Sequence, residues 1–178
     1  VIGAVICFSF SGLLFEFLTS SFYRYFPGSM LIGTGPAEAF VLKLKVSFFA
    51  GCLLMSPILF YQFWLFIEPG MYEPEKKLGI PFVASGTFLF LLGVVFCHEV
   101  VLPFAFEFFY QEYKSINVTP TIRISEHLAT LMQALLGFGI VFEMPVLAFF
   151  LGRLGVITHH TLINGARYAI VIIFIVSA

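Results

Sequence analysis

Residues 46–67 form an uninterrupted apolar run without a charged side chain, and this run constrains the fold more than any other feature. An α-helix rises about 1.5 Å per residue, so a run of this length crosses the roughly 30 Å hydrocarbon core of a bilayer. Pro57 lies near its middle and predicts a kink, because proline removes a backbone hydrogen bond from the helix. The run therefore predicts a membrane-spanning helix.

The rest of the chain supports the same class of protein. Only 11% of its residues are charged and 60% are hydrophobic, whereas a soluble domain carries roughly a quarter charged residues. We therefore expect an all-α integral membrane protein, a polytopic helical bundle with four full spans and part of a fifth. The predicted spans are residues 1–18, 46–67, 78–106, 128–151 and 168–178. The predicted loops are residues 19–45, 68–77, 107–127 and 152–167.

Several function classes lack support in the sequence. The formal net charge is -1, and nucleic-acid binding needs clustered basic residues, of which Lys76-Lys77 is the only adjacent pair. The three cysteines lie far apart in apolar runs, and the adjacent His159-His160 have no third ligand, so no metal site is predicted. No nucleophile stands beside a convincing base. We expect neither an enzyme nor a cofactor.

The stretch FYQFWLFIEPGMYEPEKK, residues 60–77, joins two apolar helices through a charged turn. Pro69 and Gly70 predict the end of the first helix. Glu73 and Glu75 then stand beside aromatic side chains, a combination that suits a cationic, partly apolar peptide, because arginine pairs bidentately with carboxylates. The alternative is that the aromatics form an interfacial belt and that Glu75 complements the dipole of a helix start.

Glu143, in GFGIVFEMPV, is the sharpest single signal in the sequence. It lies about 12 Å from the end of the fourth predicted span, where a carboxylate is costly and needs a partner, a cavity or another subunit. Pro145 weakens the helix beside it. The alternative is a protonated acid with a structural role only. Gln133 is a further polar group within the same span.

At this point the residues carry a resemblance. The run SPILFYQFWLFIEPGMYEPEKK, followed by GFGIVFEMPV and LGRLGVIT, strongly resembles TatC, the core membrane subunit of the twin-arginine protein translocase. GPAEAF before the second span and VVLPFAF after the third extend the match along nearly the whole chain. The second of these contains Pro103, which we expect to mark another structural kink.

The resemblance implies a cup-shaped helical membrane protein with cytoplasmic termini. It implies that residues 68–77 and 152–167 are cytoplasmic, and that residues 19–45 and 107–127 are periplasmic; the count of basic residues alone does not decide orientation. The family pattern F-I-x-P-x-L-Y-x-x-E falls on residues 66–75, with methionine in place of leucine. It implies signal-peptide recognition by Phe66 and Glu75, with Tyr72 and Glu73 as further candidates.

The family pattern F-E-x-P implies that Glu143 contacts single-span partner subunits. Gln133, a polar group in the same span, is a further candidate for such a contact. The implied function is a signal-peptide receptor and core subunit that exports folded proteins, driven by the transmembrane proton gradient. Implied partners are twin-arginine signal peptides, TatA/TatB-type subunits, further TatC copies and the lipid bilayer. The implied location is the cytoplasmic (inner) membrane of a bacterium, with the plastid thylakoid as the alternative.

The resemblance also predicts that parts of the family's full-length protein lie outside residues 1–178. The family's N-terminal segment and its sixth helix are expected to lie before residue 1 and after residue 178. The alternative function is a proton-coupled small-solute transporter or channel subunit in which Glu143 titrates.

Overall fold

The computed structural model describes residues 7–26 and 30–153, apart from the side chains at positions 11, 21, 25, 74 and 75. The predicted span 168–178 and most of the link 152–167 lie outside the described residues, as do residues 1–6 of the first predicted span. The α-helices are α1 (Ser11–Tyr25), α2 (Glu38–Leu54), α3 (Ser56–Ile67), α4 (Glu73–Lys76), α5 (Gly79–Phe96), α6 (Leu102–Ser115) and α7 (Ile124–Arg153), and the strands are β1 (Met30–Ile32) and β2 (Thr121–Arg123).

Helices α2 and α3 meet at a sharp bend of 60°. The helix breaks at Met55, and Pro57 lies in the first turn of α3, where its missing N–H costs no helical hydrogen bond. The apolar run 46–67 is therefore two helices at an angle. Such a bend opens space on one side of the bundle.

Helix α5 continues through a π-helical segment, Cys97–Val101, directly into α6. The combined helix, Gly79–Ser115, has 37 residues and is about 55 Å long, well beyond the thickness of a hydrocarbon core. Pro103 lies in the first turn of α6, just after the π segment. The last turns of α6 occupy the start of the predicted loop 107–127.

The membrane character of the helices is clear from length and hydropathy. Within the described residues, Gly79–Ser115 and Ile124–Arg153 are each long and apolar enough to cross a membrane, and the bent pair α2–α3 adds a third span if it is counted as one. The chain is a helical membrane protein.

Close packing between α5 and α7 forms the centre of the bundle. A Cβ atom at Gly93 would lie 2.7 Å from the carbonyl oxygen of Phe138 and 2.9 Å from Phe142. Only a glycine lets the two helices approach this closely. Two apolar clusters flank the contact: one contains Leu128 and Leu131, and the other contains Trp64, Phe82 and Phe150.

The two predicted loops 19–45 and 107–127 are joined by a small sheet that the sequence interpretation did not include. Strands β1 and β2 are parallel, with Leu31 opposite Ile122. Arg123 donates a hydrogen bond from Nη2 to Thr34 Oγ1 at 2.9 Å. The Glu38 carboxylate accepts hydrogen bonds from the backbone N–H groups of Thr34 and Gly35. These contacts place both segments on the same side of the bundle.

Candidate functional site

A cavity of about 400 Å³ lies between α2, α3, α5 and α7. We call it the Glu143 cavity, and its lining residues are Cys52, Ser56, Leu59, Phe60, Phe63, Phe90, Leu136, Ile140, Glu143 and Leu147. The α2–α3 bend brings the start of α3 to this space. Its walls are almost entirely apolar, and Glu143 supplies the only charged group among the described lining residues.

The Glu143 carboxylate has no partner within the part of the chain that the structure describes. The residue is 5% exposed, and neither side-chain oxygen has a hydrogen bond to a described residue. Gly86 makes room for it: a Cβ there would lie 3.4 Å from Oε1. The buried Ser56 hydroxyl, in the same cavity, also lacks a partner among the described residues. Two residues that line one apolar space therefore carry polar groups without a partner among the described residues, an arrangement that would accept a hydrogen-bond donor.

The other polar candidate on α7 lies elsewhere. Gln133 is exposed and does not line the Glu143 cavity; it lies about 15 Å closer to the N-terminus of the helix. Pro145 lies inside α7, where proline leaves the carbonyl four residues earlier without its helical donor. Gly139, one turn before Glu143, packs against Phe90. It therefore serves contact within the bundle.

The second candidate surface is the α3–α5 turn, residues 68–78. Pro69 lies in a short 3₁₀ turn, Glu68–Gly70, which follows α3 and precedes the single-turn helix α4. Phe66 and Tyr72 flank this turn, 84% and 78% exposed. Exposed aromatic area of this kind is available to a peptide or to the membrane interface.

The Glu73 carboxylate at the turn is solvated. Glu73 accepts a hydrogen bond from Lys76 Nζ at 2.7 Å, and the Glu73 side chain is 87% exposed. This hydrogen bond raises the pKa of Lys76. Glu75 lies in α4 by its backbone, but its side chain lies outside the described residues. The structure thus brings Phe66, Tyr72 and Glu73 to one turn.

Trp64 belongs to the core and not to this surface. It is 5% exposed, its ring lies 5.4 Å from that of Phe82, and it occupies the space left open by Gly79. An aromatic two positions before Phe66 falls on another face of the helix, because successive helical positions are about 100° apart. The helical period of α3 therefore separates the buried ring from the exposed one.

Sequence reasoning missed two parts of these sites. Ser56 lies in a run that appears simply apolar in the sequence, and its position in the same cavity as Glu143 depends on the bend at Met55. A groove between α3 and α5, with Lys77 and Glu68 at one end, was also missed. No group of histidine, cysteine or acidic side chains within residues 7–26 and 30–153 is arranged to hold a metal ion.

Comparisons with known proteins agree with the sequence motifs. A family profile described as "Sec-independent protein translocase protein (TatC)" matches residues 1–178. Among similar curated proteins, the Sec-independent protein translocase protein TatC of Helicobacter pylori is 41% identical over 97% of this chain and 66% of the relative. That of Aquifex aeolicus is 35% identical over 100% of this chain and 75% of the relative.

A solved structure shares the fold. The "Crystal Structure of Twin Arginine Translocase Receptor- TatC" superimposes with a TM-score of 0.86 at 35% identity, covering 98% of this chain and 77% of that chain. The chain spans about two thirds to three quarters of the length of these relatives. The curated relatives are bacterial, and with its apolar helices the chain is a bacterial membrane protein.

Proposed function

Since this chain belongs to the TatC family of Sec-independent protein translocase proteins, we propose that it is the signal-peptide receptor and core subunit of a twin-arginine translocase. The observation that carries the proposal is the family match along all of residues 1–178. The similar solved structure is that of a twin-arginine translocase receptor. The chain is a component of a transport system, and its proposed work is recognition and assembly without covalent chemistry or a cofactor.

The proposed receptor surface is the α3–α5 turn. Phe66 and Tyr72 offer exposed aromatic area, and Glu73 and Glu75 lie in the adjoining single-turn helix. A signal peptide that carries two arginines beside an apolar stretch matches this combination, because guanidinium groups pair with carboxylates while the apolar stretch packs on aromatic rings. The proposal places this turn on the cytoplasmic side of the inner membrane, where signal peptides arrive.

The proposed assembly site is the Glu143 cavity. A single-span subunit of the TatA/TatB type would bring a hydrogen-bond donor to the Glu143 carboxylate, and Ser56 lies in the same cavity. A carboxylate at this depth without a partner costs at least a few kcal/mol. A partner helix that donates a hydrogen bond to the carboxylate therefore gains binding free energy. Gln133 would contact a neighbouring helix separately, because it does not line this cavity.

Binding of a twin-arginine signal peptide to the full-length protein in detergent tests the receptor proposal. We expect Glu75→Ala, and separately a twin-lysine peptide, to weaken binding by about 1 to 3 kcal/mol each, with little further loss when they are combined. Glu112→Ala is the matched control, since Glu112 is an exposed carboxylate on α6. Unchanged affinity in Glu75→Ala would place recognition elsewhere in the protein.

A proton-coupled transporter remains the second candidate, and the buried Glu143 is the observation behind it. Family membership does not favour it. Vesicles that contain the protein alone separate the two functions: a receptor binds peptide and moves no small solute, whereas a transporter moves solute without a partner subunit.

A further inference from the structure

A second groove, about 670 Å³ in volume, lies between α3 and α5 and shares no lining residue with the Glu143 cavity. One wall is formed by α3 residues from Pro57 to Leu65, and the other by α5 residues from Gly79 to Leu91. The α5 wall is about 18 Å long. Half of a bilayer's hydrocarbon core is about 15 Å thick. The groove therefore spans about one leaflet.

Polarity changes along the groove. Its charged lining residues, Glu68, Lys76 and Lys77, lie at one end, at the α3–α5 turn. The walls beyond them are mostly apolar, with Val83, Ala84 and Phe88 among the lining residues on α5. A ligand that fits this pattern has a polar head at the level of the turn and a chain that reaches toward the bilayer centre.

The charges at the head end are of both signs. Lys76 is engaged by Glu73 at 2.7 Å. Lys77 is exposed and forms no ion pair or hydrogen bond with any described residue. The half-buried Glu68 carboxylate lies within electrostatic reach of Lys76 but accepts no hydrogen bond from the described part of the chain. Among the described side chains of the turn, one cation and one carboxylate are therefore available to a bound head group.

We propose that this groove binds one phospholipid whose head group carries a phosphate and a primary ammonium, as phosphatidylethanolamine does. Lys77 pairs with the phosphate, Glu68 accepts a hydrogen bond from the ammonium, and an acyl chain lies along Val83, Ala84 and Phe88. A quaternary ammonium has no N–H group to donate to Glu68. A purely anionic head group has no cation to pair with the Glu68 carboxylate. The site is thus selective for the zwitterionic head with a primary amine. It goes beyond the proposed function, since neither a signal peptide nor a partner subunit is involved.

Lipid retention measured by native mass spectrometry tests this site in the full-length protein in detergent. Phosphatidylethanolamine, phosphatidylcholine and phosphatidylglycerol are each titrated in the absence of signal peptide. We expect one tightly retained phosphatidylethanolamine, and a loss of about fivefold in its apparent affinity in Lys77→Gln and in Glu68→Gln. Lys45→Gln and Glu112→Gln, at exposed positions outside the groove, are expected to retain the lipid as the wild type does.

A second variant tests the apolar part of the groove. Ala84→Trp fills the space of the acyl chain and is expected to abolish selective retention, whereas Ala39→Trp, at an exposed position of α2, is expected to leave it intact. Equal retention of the three lipids, or a preference for phosphatidylglycerol, overturns the proposal. So does an Ala84→Trp protein that retains phosphatidylethanolamine normally. Because signal peptide is absent from the assay, failure of the receptor proposal leaves these outcomes unaffected.

Discussion

The Glu143 cavity and the α3–α5 turn both carry carboxylates, but their surroundings are opposite. Glu143 is 5% exposed and has no hydrogen-bond partner among the described residues. The Glu73 side chain is 87% exposed and paired with Lys76. The first carboxylate is buried without a partner among the described residues, whereas the second is exposed and paired.

This difference in solvent exposure determines the function that each site can serve and its effect on stability. Burial without a partner among the described residues makes the Glu143 carboxylate energetically costly, so a partner subunit that donates a hydrogen bond to it binds more tightly. Water screens the charges of the turn, so they add little to stability and are available for peptide recognition. We therefore expect substitutions in the buried region to change stability and assembly, and substitutions of the exposed residues Phe66, Tyr72 and Glu73 to change peptide binding with little effect on stability.

The largest effect is expected where α5 and α7 pack to enclose the buried region. Gly93→Leu would drive a side chain into the Phe138 carbonyl and Phe142, and we expect a loss of about 3 kcal/mol in stability. Gly137→Leu is the matched control, because a Cβ at Gly137 meets nothing within 4 Å. Thermal unfolding in detergent measures both. Equal melting temperatures for the two variants would contradict the close packing.

Glu143→Leu gives the next largest effect, with opposite signs in two assays. Removal of an unpaired buried carboxylate is expected to raise the stability of the isolated protein by about 1 to 3 kcal/mol. The same change is expected to weaken capture of single-span partner subunits by at least about tenfold.

The matched change at the turn is Glu73→Leu, which is expected to alter stability by less than about 0.5 kcal/mol. Thermal unfolding and co-purification of partner subunits measure both variants. A Glu143→Leu protein that is destabilised would show that the carboxylate has a stabilising partner within the bundle.

Phe66→Ala tests the contribution of an exposed aromatic ring to peptide binding. The ring is 84% exposed, so we expect no change in melting temperature and a loss of about 1 to 2 kcal/mol in affinity for a signal peptide. Phe149→Ala, at a ring that is 58% exposed on α7, serves as the control and should bind normally. If both variants bind as the wild type does, Phe66 is an interfacial residue only.

The smallest effect is expected at the exposed ion pair. Glu73→Gln removes the hydrogen bond that raises the pKa of Lys76, so this pKa should fall back toward its ordinary value. Because the pKa is raised in the folded state, the pair contributes at neutral pH and loses its contribution only as the pH rises through the lysine pKa. Titration of isotope-labelled lysine by nuclear magnetic resonance measures the shift. An unchanged Lys76 pKa would show that Glu73 does not hold it.

Much of the protein was predictable from its sequence. Charge-free runs indicate membrane helices because a bilayer excludes both charge and unpaired backbone groups. The motifs around Phe66 and Glu143 identify the family, which the comparisons confirm. These signals are local, since each depends on residues that are neighbours in the chain.

Other features depend on contacts between distant segments. The pairing of β1 with β2, the neighbourhood of Ser56 and Glu143, and the burial of Trp64 against Phe82 and Phe150 have no local signature. The groove between α3 and α5, with Lys77 and Glu68 at one end, also has no local signature, because it forms only when the two helices pack together.

The sequence by itself determined that this chain is a helical membrane protein and which family it belongs to, because apolar length and short motifs act locally. Tertiary structure alone decided which carboxylate is buried without a partner in the described part of the chain and which is exposed to solvent. The reason is physical: desolvation depends on the helices that pack around a side chain, and here the bend at Met55 and the close approach at Gly93 set that packing.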